Sequence, residues 1–402
     1  MKKDIMNIFN LQGLIVDKVT YEEDKIIIHV RHPQRGALCP HCERTTGKVH
    51  QRTHRKILHD VFNDRSIILD ILVRRFMCKR CRRVFTERHL PGVSKSKFSD
   101  HLKAKIVRDS TQSSMDTVAK RYHLSSPSVM AILKDYNLNT EVPLGELRLN
   151  IDGHSFSGRD MKTTIGEILN KELLAVLPDA SKASLVKYLN SLENSVKQRI
   201  TEVCIDMDTG YKFAIEEALP NTRIVIDHFH VIKLLLQRMD KIRKILQGDS
   251  KRGYRRINRF LLLKNKENLT KTETLQLKEL FSAYEKFPAL QGMWWVKERI
   301  RKMYQCEHRK EAEKIFKQIL LQLEEYEVGV MAETRRTLIR WKPYILNFFY
   351  NRTTNAFAEG CNNKIKVVKR MSYGFRNFDN YVVKIMLAFL PFSVVGVSQW
   401  IL

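Results

Sequence analysis

The chain has 402 residues, of which 43% are hydrophobic, enough to build roughly two to four domains with buried cores. Its formal net charge of +27 and its pI of about 9.8 predict a polyanionic partner, namely DNA or RNA. No membrane segment is predicted, because the longest apolar run, "IMLAFLPFSVVGV", is too short and contains Pro391. The N-terminus shows neither a clear amphipathic anchor nor a secretory signal, so we expect a cytoplasmic protein.

Four of the seven cysteines form two C-x-x-C pairs, in which "CPHC" holds Cys39 and Cys42 and "CKRC" holds Cys78 and Cys81. Two such turns bring four thiolates to one tetrahedral ion, so the spacing predicts a closed structural Zn²⁺ site. The alternating stretch "RSIILDILVRRFMC" is typical of strands in a zinc ribbon.

Four histidines lie near these pairs: His41, His50, His54 and His59. One of them is an alternative to a cysteine as a zinc ligand, although histidines on the protein surface are the more common case. The remaining cysteines are expected to be buried, reduced thiols: Cys204, Cys306 and Cys361.

Three short helical periods lie between residues 99 and 137, and a turn at Leu124 separates the second from the third. Serines precede the third segment as possible caps, and Pro127 suits its first turn. The pattern predicts a helix-turn-helix that places Ser126, Ser128 and Val129 against a DNA major groove. A plain structural three-helix bundle is the alternative.

The central region gives the order strand, strand, strand, helix, strand, helix, strand, which matches the RNase H-like fold. The first strand, "LRLNID", is expected to end on Asp152, and the fourth, "EVCIDMD", delivers Asp206 and Asp208. The first and fourth strands are neighbours in that fold, so Asp152 and one of the other two aspartates should be adjacent.

Adjacent carboxylates repel each other unless a cation separates them, and Mg²⁺ or Mn²⁺ prefers oxygen ligands of this kind. The sequence therefore predicts a divalent metal site that acts on phosphodiesters. Aspartates at strand ends also serve as caps and turn residues, which is the alternative for either residue taken alone.

Glu359 is the candidate third acidic ligand, early in a probable helix. Basic residues that are expected to contact a DNA backbone follow it on the same helix: Lys364, Lys366, Lys369 and Arg370. Asn362 and Asn363 are candidates for hydrogen bonds to sugar or phosphate. The alternative is a solvated basic helix in which the negative charge of Glu359 only interacts favourably with the positive end of the helix dipole.

Residues 231–350 are charged, with a period near 3.6, and predict an all-helical insertion in the RNase H-like core. Its Trp294 and Trp295 are candidates to flank DNA, although core positions are more usual for tryptophan. We therefore predict an α/β multidomain chain with these segments: a zinc ribbon (1–95), a helix-turn-helix (96–140), the first part of the core (141–230), the insertion (231–350) and the C-terminal helices of the core (351–402).

The chain resembles bacterial insertion-sequence transposases of the ISL3 family, a group of DDE transposases, over nearly its whole length. The resemblance rests on "CPHC" with "RRFMCKRCRRVFTE", on "VIDHFHVIKLL", and on "TNAFAEGCNNKIKVVKRMSYGFRNFDNY". It implies that Asp152, Asp206 and Glu359 are the catalytic metal ligands. Asp208 becomes the second choice, because the family has an aromatic residue five positions after the second aspartate.

The same resemblance implies supporting roles for Asp227 and His230, which match a D-x-x-H signature. The chain departs from the family at "IDGHSF", where Gly153 and His154 follow the first aspartate and an acidic residue is usual.

The implied function is a transposase that binds terminal inverted repeats in double-stranded DNA, cleaves them, and joins them to target DNA at the nucleoid. Joining two ends implies at least a homodimer. A non-catalytic DNA-binding regulator with a degenerate nuclease core is the first alternative, and an RNA-processing nuclease is the second.

Overall fold

The computed structural model of the chain describes residues 2–11, 13–87, 96–136, 142–248, 257–285, 287–326 and 329–390. The chain divides into two compact units, one formed by Met1–Thr140 with Lys364–Leu402 and the other by Glu141–Asn363. This division is coarser than the five segments predicted from the sequence, which stay a prediction. No helix within the described ranges is long and apolar enough to cross a membrane. Residues 391–402, which include part of the apolar C-terminal run, lie outside the described residues.

The first unit contains a five-stranded sheet with the order β1-β2-β6-β5, to which β7 adds beside β6. Strands β2 and β6 are parallel, whereas the other pairs are antiparallel. The N-terminal elements are α1 (Lys2–Ile8), β1 (Ile15–Tyr21), β2 (Lys25–Arg31), β3 (Ala37–Leu38), β4 (Thr45–Thr46), β5 (Val49–Phe62), β6 (Arg65–Met77) and β7 (Val84–Thr86).

The long hairpin of β5 and β6 turns at Asn63 and Asp64, whose φ angles are 47° and 58°. Positive φ at both central residues matches the twist of the flanking strands, and Asn and Asp tolerate it better than most residues. Ile67, Leu69 and Ile71 alternate along β6 and are all buried in the core of this sheet. The alternating stretch predicted before the second cysteine pair is therefore confirmed as a strand.

The three predicted helical segments are confirmed as helices, and each begins at a serine cap. They are α2 (Asp100–Ser110), α3 (Met115–Arg121) and α4 (Ser126–Asp135), and they share a core with α16 (Phe378–Phe389). Ser125 is the cap of α4, since its side chain accepts a hydrogen bond from the Ser128 N–H. The prediction that Val129 faces a DNA groove is wrong, because Val129 is 0% exposed in this core.

The second unit contains a five-stranded sheet with the order β10-β9-β8-β11-β12. Strands β8, β9 and β10 form an antiparallel meander, and β11 pairs in parallel with β8 and β12. Its elements up to the last strand are β8 (Leu147–Ser157), β9 (Asp160–Glu167), β10 (Glu172–Leu177), α5 (Lys182–Ser191), α6 (Asn194–Lys197), β11 (Ile200–Ile205), α7 (Thr209–Ala218) and β12 (Arg223–Ile226).

The predicted order of these elements is confirmed, and β8 and β11 are neighbours as expected. One boundary differs, because β8 does not end at Asp152 but continues to Ser157 while β9 remains paired to it. The single helical stretch expected before the fourth strand is split into α5 and α6 at Leu192, whose backbone is extended.

A helical region follows the sheet, as predicted from the 3.6-residue period. Its elements are α8 (His228–Gly248), α9 (Arg259–Leu263), a 3-10 turn (Lys266–Asn268), α10 (Lys271–Ala283), α11 (Ala289–Gln305), α12 (Arg309–Glu324), α13 (Gly329–Leu346) and α14 (Phe348–Asn351), and α15 (Ala356–Met371) comes next. One apolar core joins this region to the sheet. Trp294 and Trp295 are partly buried against that core, which favours their interpretation as core aromatics.

Candidate active site

Asp152 and Asp206 lie on neighbouring parallel strands, directly after a pair of facing residues, Ile151 on β8 and Ile205 on β11. Both side chains are half-buried. Asp152 already has two donors, since the Gly153 N–H lies 2.8 Å from its Oδ1 and Asn362 Nδ2 lies 2.7 Å from its Oδ2. The carboxylate of Asp152 is therefore held in one orientation.

Asp206 differs, because its Oδ1 is buried and has no hydrogen-bond partner within the described residues. Burial is the main reason that the pKa of Asp206 is raised to about 6, and the negative charges of Asp152 and Asp208 add to this shift. The charge of His230 partly opposes it. Burial also raises the pKa of Asp152, and the charge of Glu359 adds to that shift. A cation bound between such a pair of carboxylates would stabilise both negative charges.

Asp208 has a separate structural task as the N-cap of α7, where its Oδ1 accepts from the Tyr211 N–H at 2.9 Å. An N-cap side chain satisfies an otherwise unpaired helix N–H, so this oxygen is already used. The choice between the two neighbouring aspartates therefore favours Asp206 as the candidate ligand.

Glu359 lies on α15, and two asparagines, Asn355 directly before that helix and Asn362 on it, fix the position of the helix beside the aspartates. The Asn355 N–H donates to Asp227 Oδ1 at 3.2 Å, and Asn362 donates to Asp152. Residues at i, i+4 and i+7 share a helix face, so Glu359 lies between these two asparagines. Its side chain is exposed, and its charge acts on Asp152.

The expectation that Asn362 binds sugar or phosphate is not supported, because Asn362 is only 7% exposed and its amide contacts Asp152. Asn363, the other candidate, is exposed.

Asp227 and His230 lie at the start of α8, next to the same strand ends. Asp227 is 2% exposed, and burial alone would raise its pKa, but hydrogen bonds from His228 and from the Asn355 N–H lower the pKa overall. The positive charge of His230 lowers the pKa of Asp152, Asp206 and Asp227, which places this imidazole near all three carboxylates. Asp227 thus anchors the segment that leads into α15.

The sequence analysis missed an ion pair between the buried Glu202 and the half-exposed Arg223, which contacts the segment before α15. Glu202 on β11 is 0% exposed, and its Oε1 lies 2.7 Å from Arg223 Nη1 and 2.8 Å from Asn351 Nδ2. The Thr353 hydroxyl donates to its other oxygen. The only signal in the sequence was an acidic residue inside an otherwise apolar strand.

The four paired cysteines form a second candidate metal centre, because their four Sγ atoms all lie within 4.8 Å of one another. Cys39 Sγ lies 3.6 Å from Cys81 Sγ, and Cys42 Sγ lies 3.5 Å from Cys78 Sγ. Tetrahedral Zn–S bonds of about 2.3 Å separate the sulfurs by roughly 3.8 Å, so the site fits a structural zinc ion.

The two knuckles share one backbone design, since a residue with positive φ follows each cysteine pair: Glu43 at 54° and Arg82 at 55°. The nearby histidines are not needed to complete the set of ligands. His59 is buried and bonded to Ser99 Oγ and the Phe9 carbonyl, and His54 contacts Asp70.

Within the described part of the chain, no group of three or more acidic or histidine side chains is as closely spaced as the four cysteines. The carboxylates of Asp152, Asp206 and Glu359 are thus less closely spaced than the cysteine sulfurs. Asp152 and Asp206 follow facing residues of adjacent strands, and the negative charge of Glu359 raises the pKa of Asp152. The unpartnered Asp206 oxygen and the raised pKa of both aspartates fit a hard divalent cation.

The predicted DNA-binding side chains are placed as follows. Ser126 and Ser128 are half-buried, and the hydroxyls of Ser128 and Ser125 lie 2.9 Å apart. Lys364 is exposed, with its Nζ 4.6 Å from the Phe389 ring centre, and burial lowers the pKa of Lys369. Lys366 and Arg370 are exposed.

Comparisons with known proteins identify the family of the chain. Residues 149–385 match the family model of ISL3 transposases, described as a transposase, and residues 35–81 match the zinc-finger of transposases IS204, IS1001, IS1096 and IS1165. The transposase for insertion sequence element IS1001 of Bordetella parapertussis is 24% identical over 397 residues, covering 94% of this chain and 96% of the relative.

The family match covers more than half of the chain and includes the sheet, the helical region and α15. These findings define a transposase with an N-terminal zinc ribbon. The chain belongs to the ISL3 family of transposases, which confirms the family predicted from its motifs.

Proposed function

We propose that this transposase cleaves and joins DNA by a DDE mechanism in an RNase H-like core. The observation that carries the proposal is the oxygen of Asp206 that has no hydrogen-bond partner within the described residues. Asp206 directly follows β11, Asp152 lies on the adjacent parallel strand β8, and the charge of Glu359 on α15 acts on Asp152. A buried carboxylate oxygen without a donor is costly unless a ligand completes it.

In this proposal Asp152, Asp206 and Glu359 hold Mg²⁺ or Mn²⁺. The ion, when bound, supplies Lewis-acid stabilisation of charge at the scissile phosphate and lowers the pKa of the attacking group. Asp152 and Asp206 offer their oxygens from rigid strands, and Glu359 offers its carboxylate from α15. Preorganised ligands of this kind avoid the cost of gathering charges during the reaction.

The reaction has two steps, a hydrolysis and a transesterification. Water first attacks the phosphodiester at the element end, and the P–O bond to the 3′-oxygen breaks, which leaves a 3′-hydroxyl and a 5′-phosphate. That 3′-hydroxyl then attacks a phosphodiester of target DNA and displaces the 3′-oxygen of the target strand, so no covalent bond to the protein is required. His230 adds a positive charge near the aspartates that favours their ionised forms.

DNA binding is assigned to the first unit and to the basic end of α15. Ser126 and Ser128 begin α4, the third helix of the proposed helix-turn-helix. Lys366 and Arg370 follow Glu359 on one face of α15, two and three turns further on, and are suited to contact phosphates. Lys364 and Lys369 flank this stripe.

The partner in this proposal is double-stranded DNA, namely the terminal inverted repeats of the element and a target, and two chains act together at the bacterial nucleoid. The overall charge of +27 supports a large electrostatic contribution to such binding.

The test is cleavage of oligonucleotides that carry the inverted repeats flanking the coding sequence. We expect the wild type to nick them in Mg²⁺ and the variants Asp152→Asn, Asp206→Asn and Glu359→Gln to bind them but cut at least about 100-fold more slowly. Asp160→Asn is the matched control, since Asp160 is an exposed aspartate of β9 paired with Lys162. Wild-type cutting by Asp152→Asn would refute the assignment.

The same assay separates the alternatives. Binding without Mg²⁺-dependent nicking by the wild type would indicate a regulator, and preferential cutting of RNA hybrids would indicate an RNA-processing nuclease.

A further inference from the structure

A chain of hydrogen bonds runs from Asp152 into the interior of the second unit. Asn362 Nδ2 lies 2.7 Å from Asp152 Oδ2, and Asn362 Oδ1 lies 3.2 Å from Thr164 Oγ1. Thr164 Oγ1 in turn lies 2.7 Å from His154 Nδ1. Asn362, Thr164 and His154 are 7%, 1% and 5% exposed, so water competes little for these bonds.

The chemistry of the groups fixes the direction of each bond. An ionised Asp152 only accepts, so Asn362 must present its NH₂ group and therefore turns its carbonyl oxygen toward Thr164. The Thr164 hydroxyl has one proton, which it donates to that oxygen, and it then accepts from His154 Nδ1–H. No member can reverse its role without breaking the next bond.

This arrangement gives His154 a role that the sequence alone did not suggest, and it gives Asn362 a different role from the one predicted. His154, part of the departure from the family pattern after the first aspartate, contacts the Thr164 hydroxyl in this chain of bonds. Asn362, first considered a DNA contact, is the group that touches Asp152. Asp206 has no comparable support for its Oδ1 within the described residues. The Asp152 carboxylate is therefore held in one orientation before a cation binds, whereas Asp206 Oδ1 is available as a ligand atom.

We propose that Asn362 is a positioning residue that fixes the Asp152 carboxylate for cation binding, and that Thr164 sets the orientation of the Asn362 amide. The inference rests on the proposed function, because it assigns these residues to the same metal site. Removal of a hydrogen-bond partner of a metal-binding side chain typically lowers metal affinity or activity about 10–100-fold.

The attachment of α15 does not depend on this amide alone. Asn355 bonds to Asp227, and Ala358, Cys361 and Ile365 are buried along the same helix. Loss of one hydroxyl at Thr164 should therefore leave the helix in place while the Asn362 amide becomes free to turn. A turned amide would present its oxygen to the Asp152 carboxylate, which is repulsive.

The experiment measures Mn²⁺ binding to the full-length protein by electron paramagnetic resonance of the unbound ion, without DNA and without turnover. Thr164→Val removes the hydroxyl at nearly constant shape, Thr164→Ser retains it, and Asn362→Leu removes the amide. We expect Thr164→Val and Asn362→Leu to weaken Mn²⁺ binding at least about tenfold, and Thr164→Ser to remain within about twofold of wild type. Thermal unfolding of each variant in chelator checks that the fold is retained.

Equal Mn²⁺ affinity of Thr164→Val and wild type would overturn the proposal, as would equal losses in Thr164→Ser and Thr164→Val. In either case a wild-type site abolished by Asp206→Asn would leave the proposed function intact. A wild type that binds no Mn²⁺ would overturn the proposed metal site and this inference together.

Discussion

At the scale of single residues, burial and nearby negative charges raise the pKa of two carboxylates: the charge of Asp152 acts on Asp206, and the charge of Glu359 acts on Asp152. Asp206 is partly buried, lies near Asp152 and Asp208, and has a pKa of about 6, compared with 3.8 for an unperturbed aspartate. The folded chain therefore binds a proton at Asp206 more tightly than the unfolded chain does. This residue lowers the stability of the fold increasingly as the pH rises from about 4 to about 6.

Asp206→Asn should consequently stabilise the metal-free protein at pH 8, by about 1–3 kcal/mol, and the gain should shrink toward pH 5. Urea unfolding in the presence of a chelator measures the difference. Asp208→Ala is the contrasting variant, because it removes the N-cap of α7 and should destabilise by about 1 kcal/mol at both pH values. An Asp206→Asn protein that is less stable than wild type at pH 8 would contradict the electrostatic account.

Single residues also show which parts of the candidate site can be predicted from the sequence. The candidate acidic ligands could be proposed from the sequence, because Asp152 and Asp206 follow short apolar runs and Glu359 lies in a long motif, and their role as ligands stays a prediction. The supporting contacts could not be predicted, because Thr164 and Asn362 are 198 positions apart and Glu202 and Thr353 are 151 apart. Periodicity reports neighbours along one element, and it carries no information about such pairs.

At the scale of elements, the segment before α15 determines where Glu359 lies. Glu202 on β11 contacts Asn351 and Thr353, and Asp227, directly after β12, contacts Asn355, so three positions of a five-residue stretch are fixed. The guanidinium of Arg223 provides the charge that allows Glu202 to be buried, and it also lies 4.0 Å from the Tyr350 ring centre.

Arg223→Ala should leave a buried carboxylate without its cation and destabilise the fold by about 3 kcal/mol. Hydrogen exchange of residues 351–356 should accelerate more than that of α5. The control is Lys182→Ala, which breaks the exposed pair with Glu217 and should cost less than about 1 kcal/mol. Equal effects of the two variants would argue against the anchoring role of Glu202.

The zinc knuckles have a small core, which contains Phe76 and Phe85 together with the cysteines themselves. We expect one zinc ion per chain by elemental analysis, and its loss in Cys42→Ser and Cys81→Ser. Trypsin should then cut near Arg44 and Arg82. Cys306→Ser should retain zinc and resist cleavage, because Cys306 lies on α11's C-terminal side and far along the chain from both knuckles. Resistance of the zinc-free protein would contradict a structural role of the metal.

The predicted boundaries of elements were correct where capping residues set them, and they were wrong where strand pairing set them. Ser125 and Pro127 marked the start of α4 correctly. The end of β8 was placed too early because its pairing with β9 continues past Asp152. Val129 was assigned to the wrong face, since its burial depends on packing partners on other helices.

At the scale of the whole molecule, the charge of +27 is the property that governs association with DNA. Each phosphate contact releases condensed counterions, so affinity should fall steeply with salt. Composition was sufficient to predict this partner class, whereas the positions of the contacts require the fold.

Replacing both Lys366 and Arg370 by Gln should reduce the slope of log affinity against log salt by about 2, since each phosphate contact contributes about 0.9. Fluorescence anisotropy with terminal-repeat DNA at several salt concentrations measures the slope. Lys187→Gln changes an exposed lysine of α5 and should leave the slope unchanged. An unchanged slope in the double variant would remove the basic face of α15 from the DNA interface.

The central claim is that Asp152, Asp206 and Glu359 bind one divalent metal centre, and anomalous diffraction tests it most directly. Crystals of the wild-type protein with terminal-repeat DNA and Mn²⁺ should show manganese within coordination distance of Asp152 and Asp206, with the Glu359 carboxylate completing the site. A manganese-free cluster in those crystals, or manganese bound only at other residues, would contradict the account.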